Sequence, residues 1–185
     1  MTKTIRTSLI AIATAAAMAS PGVDVGAARA GNPILDFETQ KGTFTIELYQ
    51  ADAPKSVAHI LALVKKNFYR GQRFHRVEAS LAQFGDPGTR DMSRIDYWGS
   101  GNSGAPIGVA ENLKKYKHVR GTVAMANSGD ARSSDSQLYI MKAASPSLDG
   151  KYIIVGRVTS GMAVVDKIVK TDRIVNVTIK AAGQP

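Results

Sequence analysis

No cysteine occurs in the 185 residues, which excludes disulfide staples, a thiol nucleophile and a cysteine-borne lipid anchor. Histidine is almost as scarce. His59, His75 and His118 are scattered without paired ligand spacing, so no metal site is expected, and all three read as structural or surface residues. Aromatic residues make up 6 % of the chain and include a single tryptophan, Trp98. After the first 30 residues no apolar run approaches the roughly 20 residues needed to cross a bilayer, and no internal repeat is found. The nucleophile-elbow pattern GxSxG is missing too, which leaves a Ser-His-Asp hydrolase with little support.

What is present suffices for one globular domain, since 44 % of the residues are apolar. The first 30 residues stand apart from it. Lys3 and Arg6 precede an uncharged run from Thr7 to Ser20, and small-residue cleavage sites follow at Ala17-Met18-Ala19 and Ala28-Arg29-Ala30. This pattern is that of a secretory signal peptide, cut after Ala19 or Ala30. The expected product is a soluble exported domain over 31–185, periplasmic or secreted. The formal charge of +9 falls to +7 once Lys3, Arg6, Arg29 and Asp24 are removed. Its cations are dispersed, apart from Lys114, Lys115, Lys117 and Arg120, and lack interleaved aromatics, so an acidic envelope or acidic partners fit better than nucleic acid.

Along the chain, Ile34 to Gln40 alternate, Lys41-Gly42 offers a turn, and Phe44, Ile46 and Leu48 alternate with polar residues, which predicts a β-hairpin. Asp52 before Pro54 marks a helix start. Val57, Ile60, Leu61 and Val64 then recur at helical spacing, giving one apolar stripe that ends near Lys66-Asn67. A Gly- and Ser-rich insert occupies Thr89 to Asn112. Inside it Gly99 to Gly104 matches a dinucleotide-binding glycine spacing, but Pro106 and Gly108 follow where a helix is required, and no βαβ alternation exists. Further strands are predicted at 121–126, 136–141, 152–158 and 173–180, with a short helix over 161–170. On the second of these, Gln137, Tyr139 and Met141 share a face, with Leu138 and Ile140 on the other. Many short strands with two amphipathic helices predict a mainly β fold, a closed antiparallel barrel with helices over its ends.

The stretch Phe74 to Pro87, FHRVEASLAQFGDP, combines an extended pattern with one cation and one amide. On a strand Phe74 and Arg76 share a face. With Gln83 seven residues on and a turn at Gly85 to Gly88, the segment reads either as the lining of a groove or as a solvated strand that happens to carry an arginine.

Five ordered blocks decide between these readings: FHRV at Phe74 to Val77, QFGDP at Gln83 to Pro87, MAN at Met125 to Asn127, SQLYI at Ser136 to Ile140, and LDGKYIIVGRV at Leu148 to Val158. Over roughly Leu35 to Lys180 the chain resembles the cyclophilins, the cyclosporin-binding type of peptidyl-prolyl cis-trans isomerase. The resemblance implies an eight-stranded barrel with two helices, a peptide groove along one side, proline-containing polypeptide substrates and no cofactor. By position it implies that Arg76 is catalytic and that Phe74 and Tyr152 edge the groove. Gln83 and Gln137 become polar groove residues, Ala126 and Asn127 backbone contacts to substrate, and Leu81, Tyr139 and Leu148 walls of a proline pocket. Two departures stand out. The chain is one residue shorter than the family pattern between Arg76 and Gln83, so the place of the pocket phenylalanine falls on Ser80 or Leu81. Ser147 stands where drug-sensitive members have tryptophan.

The chemistry needs no bond to break. Amide resonance sets a rotation barrier of about 18–20 kcal/mol, and uncatalysed X-Pro exchange takes tens to hundreds of seconds. A donor aimed at the prolyl nitrogen favours the twisted amide, whose lone pair is localised, over either planar state. A guanidinium suits that role because it presents its donors in a rigid fork. Two functions follow: an exported, monomeric isomerase acting on folding chains, or a proline-peptide clamp with little turnover because its pocket lacks an aromatic wall.

Overall fold

The computed structural model describes residue 1 and residues 31–180, so the predicted leader and its two cleavage sites lie outside the described residues. Eight strands form one sheet: β1 (Ile34–Thr39), β2 (Gly42–Leu48), β3 (Arg76–Val77), β4 (Leu81–Phe84), β5 (Thr122–Met125), β6 (Leu138–Met141), β7 (Ile154–Ser160) and β8 (Ile174–Lys180). They are ordered β3-β4-β6-β5-β7-β2-β1-β8, and every pairing is antiparallel. The predicted hairpin is present, with Thr39 opposite Gly42 at its turn. Helix α1 (Pro54–Lys65) packs against β8, and α2 (Met162–Lys167) packs against β2.

The pattern of short strands and two helices leads to the expectation of a closed barrel, which the resemblance makes eight-stranded; the sheet instead curls into an open half-barrel. Closure fails because β3 is two residues long. The segment preceding it meets the start of β8 only through an isolated Arg73–Arg173 bridge and a few bonds such as Ile174 N–H to Gln72 O at 2.8 Å. No ladder joins the two edges.

Strand alternation sorts the side chains into two apolar clusters. On one face Phe37, Phe44, Phe84, Val123, Leu138, Ile140 and Val155 form the main core with the buried stripe of α1. Its aromatics interlock, Phe84 meeting Phe37 edge-on at 5.3 Å and Phe74 at 5.2 Å. On the other face Leu81, Ala124, Tyr139, Met141 and Ile154 form a smaller cluster. The central strands are therefore covered on both sides, and the second cover is what shapes the site.

The start of α1 departs from expectation. Asp52 does not cap it. Ala53 occupies the cap position without a side-chain bond, while Asp52 binds Lys115 and Tyr116. The open N–H groups are met from 55 residues away by Glu111, whose oxygens accept from Lys55 N at 3.0 Å, Ser56 N at 2.9 Å and Ser56 Oγ at 2.6 Å.

Candidate active site

Register alone assembles the site. Arg76 pairs with Gln83, Gln83 with Tyr139, Tyr139 with Ala124 and Ala124 with Ile154. Directly opposed residues project from the same face, so a single row crosses five strands with the cation at one end. Leu81, opposite Met141, lies on that face beside Tyr139. The loops after β5 and before β7 add Ala126, Asn127 and Tyr152, and a 3-10 turn at Pro146–Leu148 adds Leu148. Together they enclose a cleft of about 320 Å³ lined by Arg76, Leu81, Gln83, Tyr139, Leu148 and Tyr152, with Glu78, Ser80 and Ser145 at its polar side.

The two ends of the cleft differ chemically. Tyr139 is 3 % exposed, and Tyr152 stands edge-on to it at 5.6 Å. With Leu81 and Leu148 these rings make an apolar cup. Burial pushes the Tyr139 phenol far above its ordinary value, with the neighbouring Tyr152 acting in the same sense and Arg76 opposing it. At the other end the Arg76 side chain is half exposed and donates from Nε to Glu78 Oε1 at 2.7 Å. Its Nη1 reaches Gln83 Oε1 at 3.5 Å.

Behind the guanidinium runs an ordered amide chain. Gln83 Nε2 donates to Gln137 Oε1 at 2.9 Å, and Gln137 Nε2 donates to the carbonyls of Gly99 and Gly101 at 2.8 and 2.7 Å. Because both carbonyls can only accept, the orientation of each amide is fixed. The loop supplying them is itself held by Asp86, which is buried and accepts from the N–H groups of Gly88, Gly99 and Gly101. The glycines that imitate a phosphate cradle thus wrap a carboxylate of the same chain. Beyond the amides a second cavity of about 220 Å³ continues between Gln137, Asn127 and Ser100.

The structure therefore brings Arg76, Leu81, Gln83, Ala126, Asn127, Tyr139, Leu148 and Tyr152 into one cleft, and sets Gln137 just behind it. Phe74 is a correction: expected at the groove edge, it is fully buried in the main core against Phe84. It lies outside the strand, since β3 begins only at Arg76, so the shared-face argument does not reach it. Leu81, not Ser80, takes the apolar wall position. Glu78 lies just past the end of β3, where strand alternation gives no signal, and only its bond to Arg76 Nε marks it. His118 carried no signal either, for its partners Asp149 and Tyr139 are distant in sequence. A serine, histidine and aspartate do meet at Ser103, His59 and Asp135, but both partners bind Asp135 Oδ1 and the serine has no base beside it.

Comparison with known proteins agrees with this geometry. Residues 34–184 match the family model described as cyclophilin type peptidyl-prolyl cis-trans isomerase/CLD. The chain belongs to the cyclophilins. It is 38 % identical over 180 residues to a probable peptidyl-prolyl cis-trans isomerase of Brucella suis, covering 95 % of this chain and 91 % of that one. A peptidyl-prolyl cis-trans isomerase of Helicobacter pylori is 36 % identical over 149 residues, covering 78 % and 85 %. Among solved structures, a cyclophilin type isomerase of Cryptosporidium parvum superposes with a TM-score of 0.65 at 21 % identity, over 83 % of this chain and 99 % of that one. A cyclophilin from Hirschia baltica gives 0.64 at 22 %, over 82 % and 75 %. This cyclophilin is accordingly a peptidyl-prolyl cis-trans isomerase, an enzyme whose substrates are proline-containing peptides.

Proposed function

We propose that turnover is carried by Arg76 acting on a prolyl ring seated in the cup of Leu81, Tyr139, Leu148 and Tyr152. The supporting observation is that cation and cup line one cleft. The cup holds the ring still while the preceding carbonyl turns. The guanidinium donates to the prolyl nitrogen as its lone pair localises, an interaction that either planar amide offers only weakly. Gln83 holds the guanidinium from behind, and the backbone at Ala126 and Asn127 receives the peptide on the far wall.

The test is cis-to-trans exchange of a short Ala-Pro peptide. Arg76→Ala should lower kcat on the order of 10²-fold, as loss of one transition-state donor does. Equal rates for the two proteins would remove Arg76 from the mechanism. A peptide clamp with little turnover is the second reading, favoured by the Glu78 ion pair on Arg76 and by Leu81, an aliphatic side chain, where an aromatic wall is expected. Peptide binding without rate enhancement would establish that reading instead.

The site of action is inferred from the leader: Lys3, Arg6 and the uncharged run Thr7 to Ser20 mark an exported protein. Its work is then the proline-limited folding of exported chains, performed as a monomer. N-terminal sequencing of the protein recovered from the periplasm should begin at Ser20 or Gly31, and a product retained in the cytoplasm with Met1 intact overturns this assignment.

A further inference from the structure

The cup contains a tyrosine where only a ring is wanted, and the structure shows how its hydroxyl is disposed of. Tyr139 Oη lies 2.8 Å from Nε2 of His118, and Nδ1 of the same imidazole lies 3.0 Å from Asp149 Oδ1. That carboxylate oxygen also accepts the His118 backbone N–H at 2.8 Å. The His118 side chain is fully buried. Hydrogen bonds from His118, the backbone one foremost, hold Asp149 below the usual carboxylate range, with Lys117 at 3.4 Å adding to them. An ionised Asp149 can only accept, so it draws the imidazole proton to Nδ1 and leaves the Nε2 lone pair facing the phenol. Tyr139 therefore donates inward.

The same histidine ties down the rest of the cup. Its carbonyl accepts from Ser145 N at 2.8 Å, and Asp149 follows directly on Leu148. One buried residue behind the cleft is thus bonded through its imidazole to the ring wall and to Asp149 at one end of the turn that carries the leucine wall, and through its backbone carbonyl to Ser145 at the other end. We propose that His118, anchored by Asp149, is a positioning residue for the prolyl pocket: it fixes the Tyr139 ring and holds its hydroxyl out of the cleft, so that substrate meets only the aromatic face. Without this bond the ring loses its anchor and is free to tilt from its place in the wall, and a phenol released with it would also turn a polar group into an apolar cup; either change weakens the grip on proline. The proposal rests on the reading of this cleft as the prolyl site.

The experiment measures KM and kcat separately for the Ala-Pro peptide, with thermal melting recorded in parallel, on Tyr139→Phe, His118→Leu, their double variant, His118→Gln and Arg76→Ala. Loss of one bond that acts on binding is expected to raise KM about three- to tenfold in both Tyr139→Phe and His118→Leu, with kcat nearly kept. The double variant should be no worse than the poorer single one, because both break the same link. His118→Gln, which restores a polar partner, should recover most of the loss. An unchanged KM in Tyr139→Phe, or effects that multiply in the double variant, overturns the proposal, and Tyr139→Phe decides alone if His118→Leu does not fold. Loss of melting temperature with unchanged KM would show a merely structural role and likewise overturn it. Failure of the cleft reading is distinguishable, since it would appear as wild-type turnover in Arg76→Ala.

Discussion

The charge on Arg76 is shared with Glu78 at 2.7 Å, yet both side chains are about half exposed. Such a pair contributes on the order of 0–1 kcal/mol to stability. Its effect on the reaction is larger in principle, because the carboxylate draws one donor away from the cleft. Glu78→Gln should leave the melting temperature nearly unchanged and raise kcat/KM; a fall in kcat/KM would mean that Glu78 aims the guanidinium. The neighbouring His75 is the second residue whose state matters. Among the described residues neither ring nitrogen makes a well-formed hydrogen bond, although the Gln137 amide lies close by. Burial pushes its pKa below the ordinary 6.5, against the raising effects of Asp86 and Gln137, while Arg76 and Lys170 act with burial. The fold therefore prefers the neutral ring. This contribution to stability is present above about pH 6.5 and is lost as the pH falls through the lowered value, because the unfolded chain takes up the proton first. Melting curves between pH 7.5 and 5 should slope less for His75→Gln than for the parent protein.

At the scale of elements, face alternation on a strand was readable in advance wherever the strand was long enough. Gln137, Tyr139 and Met141 were assigned to one side and Leu138 and Ile140 to the other, and the two clusters divide along that line for the residues they contain. The same rule failed at Phe74, because a two-residue strand carries no alternation beyond itself. What could not be read were contacts between distant segments. Asp52-x-Pro54 has the local form of a helix cap, but Lys115 and Tyr116 compete for that carboxylate and Glu111 takes over its task. Glu111→Ala should cost about 1 kcal/mol, a fall in melting temperature of roughly 2–4 °C, whereas Asp52→Ala should not expose the helix terminus. Backbone demands are equally local and easier to foresee. Gly85 adopts φ of 110°, and a Cβ there would stand 2.6 Å from Gln137 Cα. Gly85→Ala should therefore destabilise the protein and shift the amide chain, detectable as a lower melting temperature together with a lower kcat.

For the whole molecule, composition predicts one domain, strand alternation and helical periodicity make it mainly β with two helices, and the ordered motifs place the cleft. None of these could reveal whether the sheet closes, since that depends on the length of β3 and on how Arg73 meets Arg173 across the gap. An edge of two paired residues has little to hold it, so opening should begin there. Amide hydrogens of Arg76 and Val77 are expected to exchange well before those of β5 and β6, and uniform protection across the sheet would contradict this. In denaturant, isomerase activity should then disappear at concentrations where the far-ultraviolet circular dichroism is still native.

The amides of Gln83 and Gln137 point the same way, oxygen toward the arginine and nitrogen toward the loop carbonyls. Their polarity is consequently one-directional. Two aligned dipoles keep a standing negative bias under the guanidinium, and no member can be turned round without leaving its neighbour facing a like group. Evolution or design can lengthen the insert elsewhere, but it inherits this wiring sense for as long as the cation remains where it is.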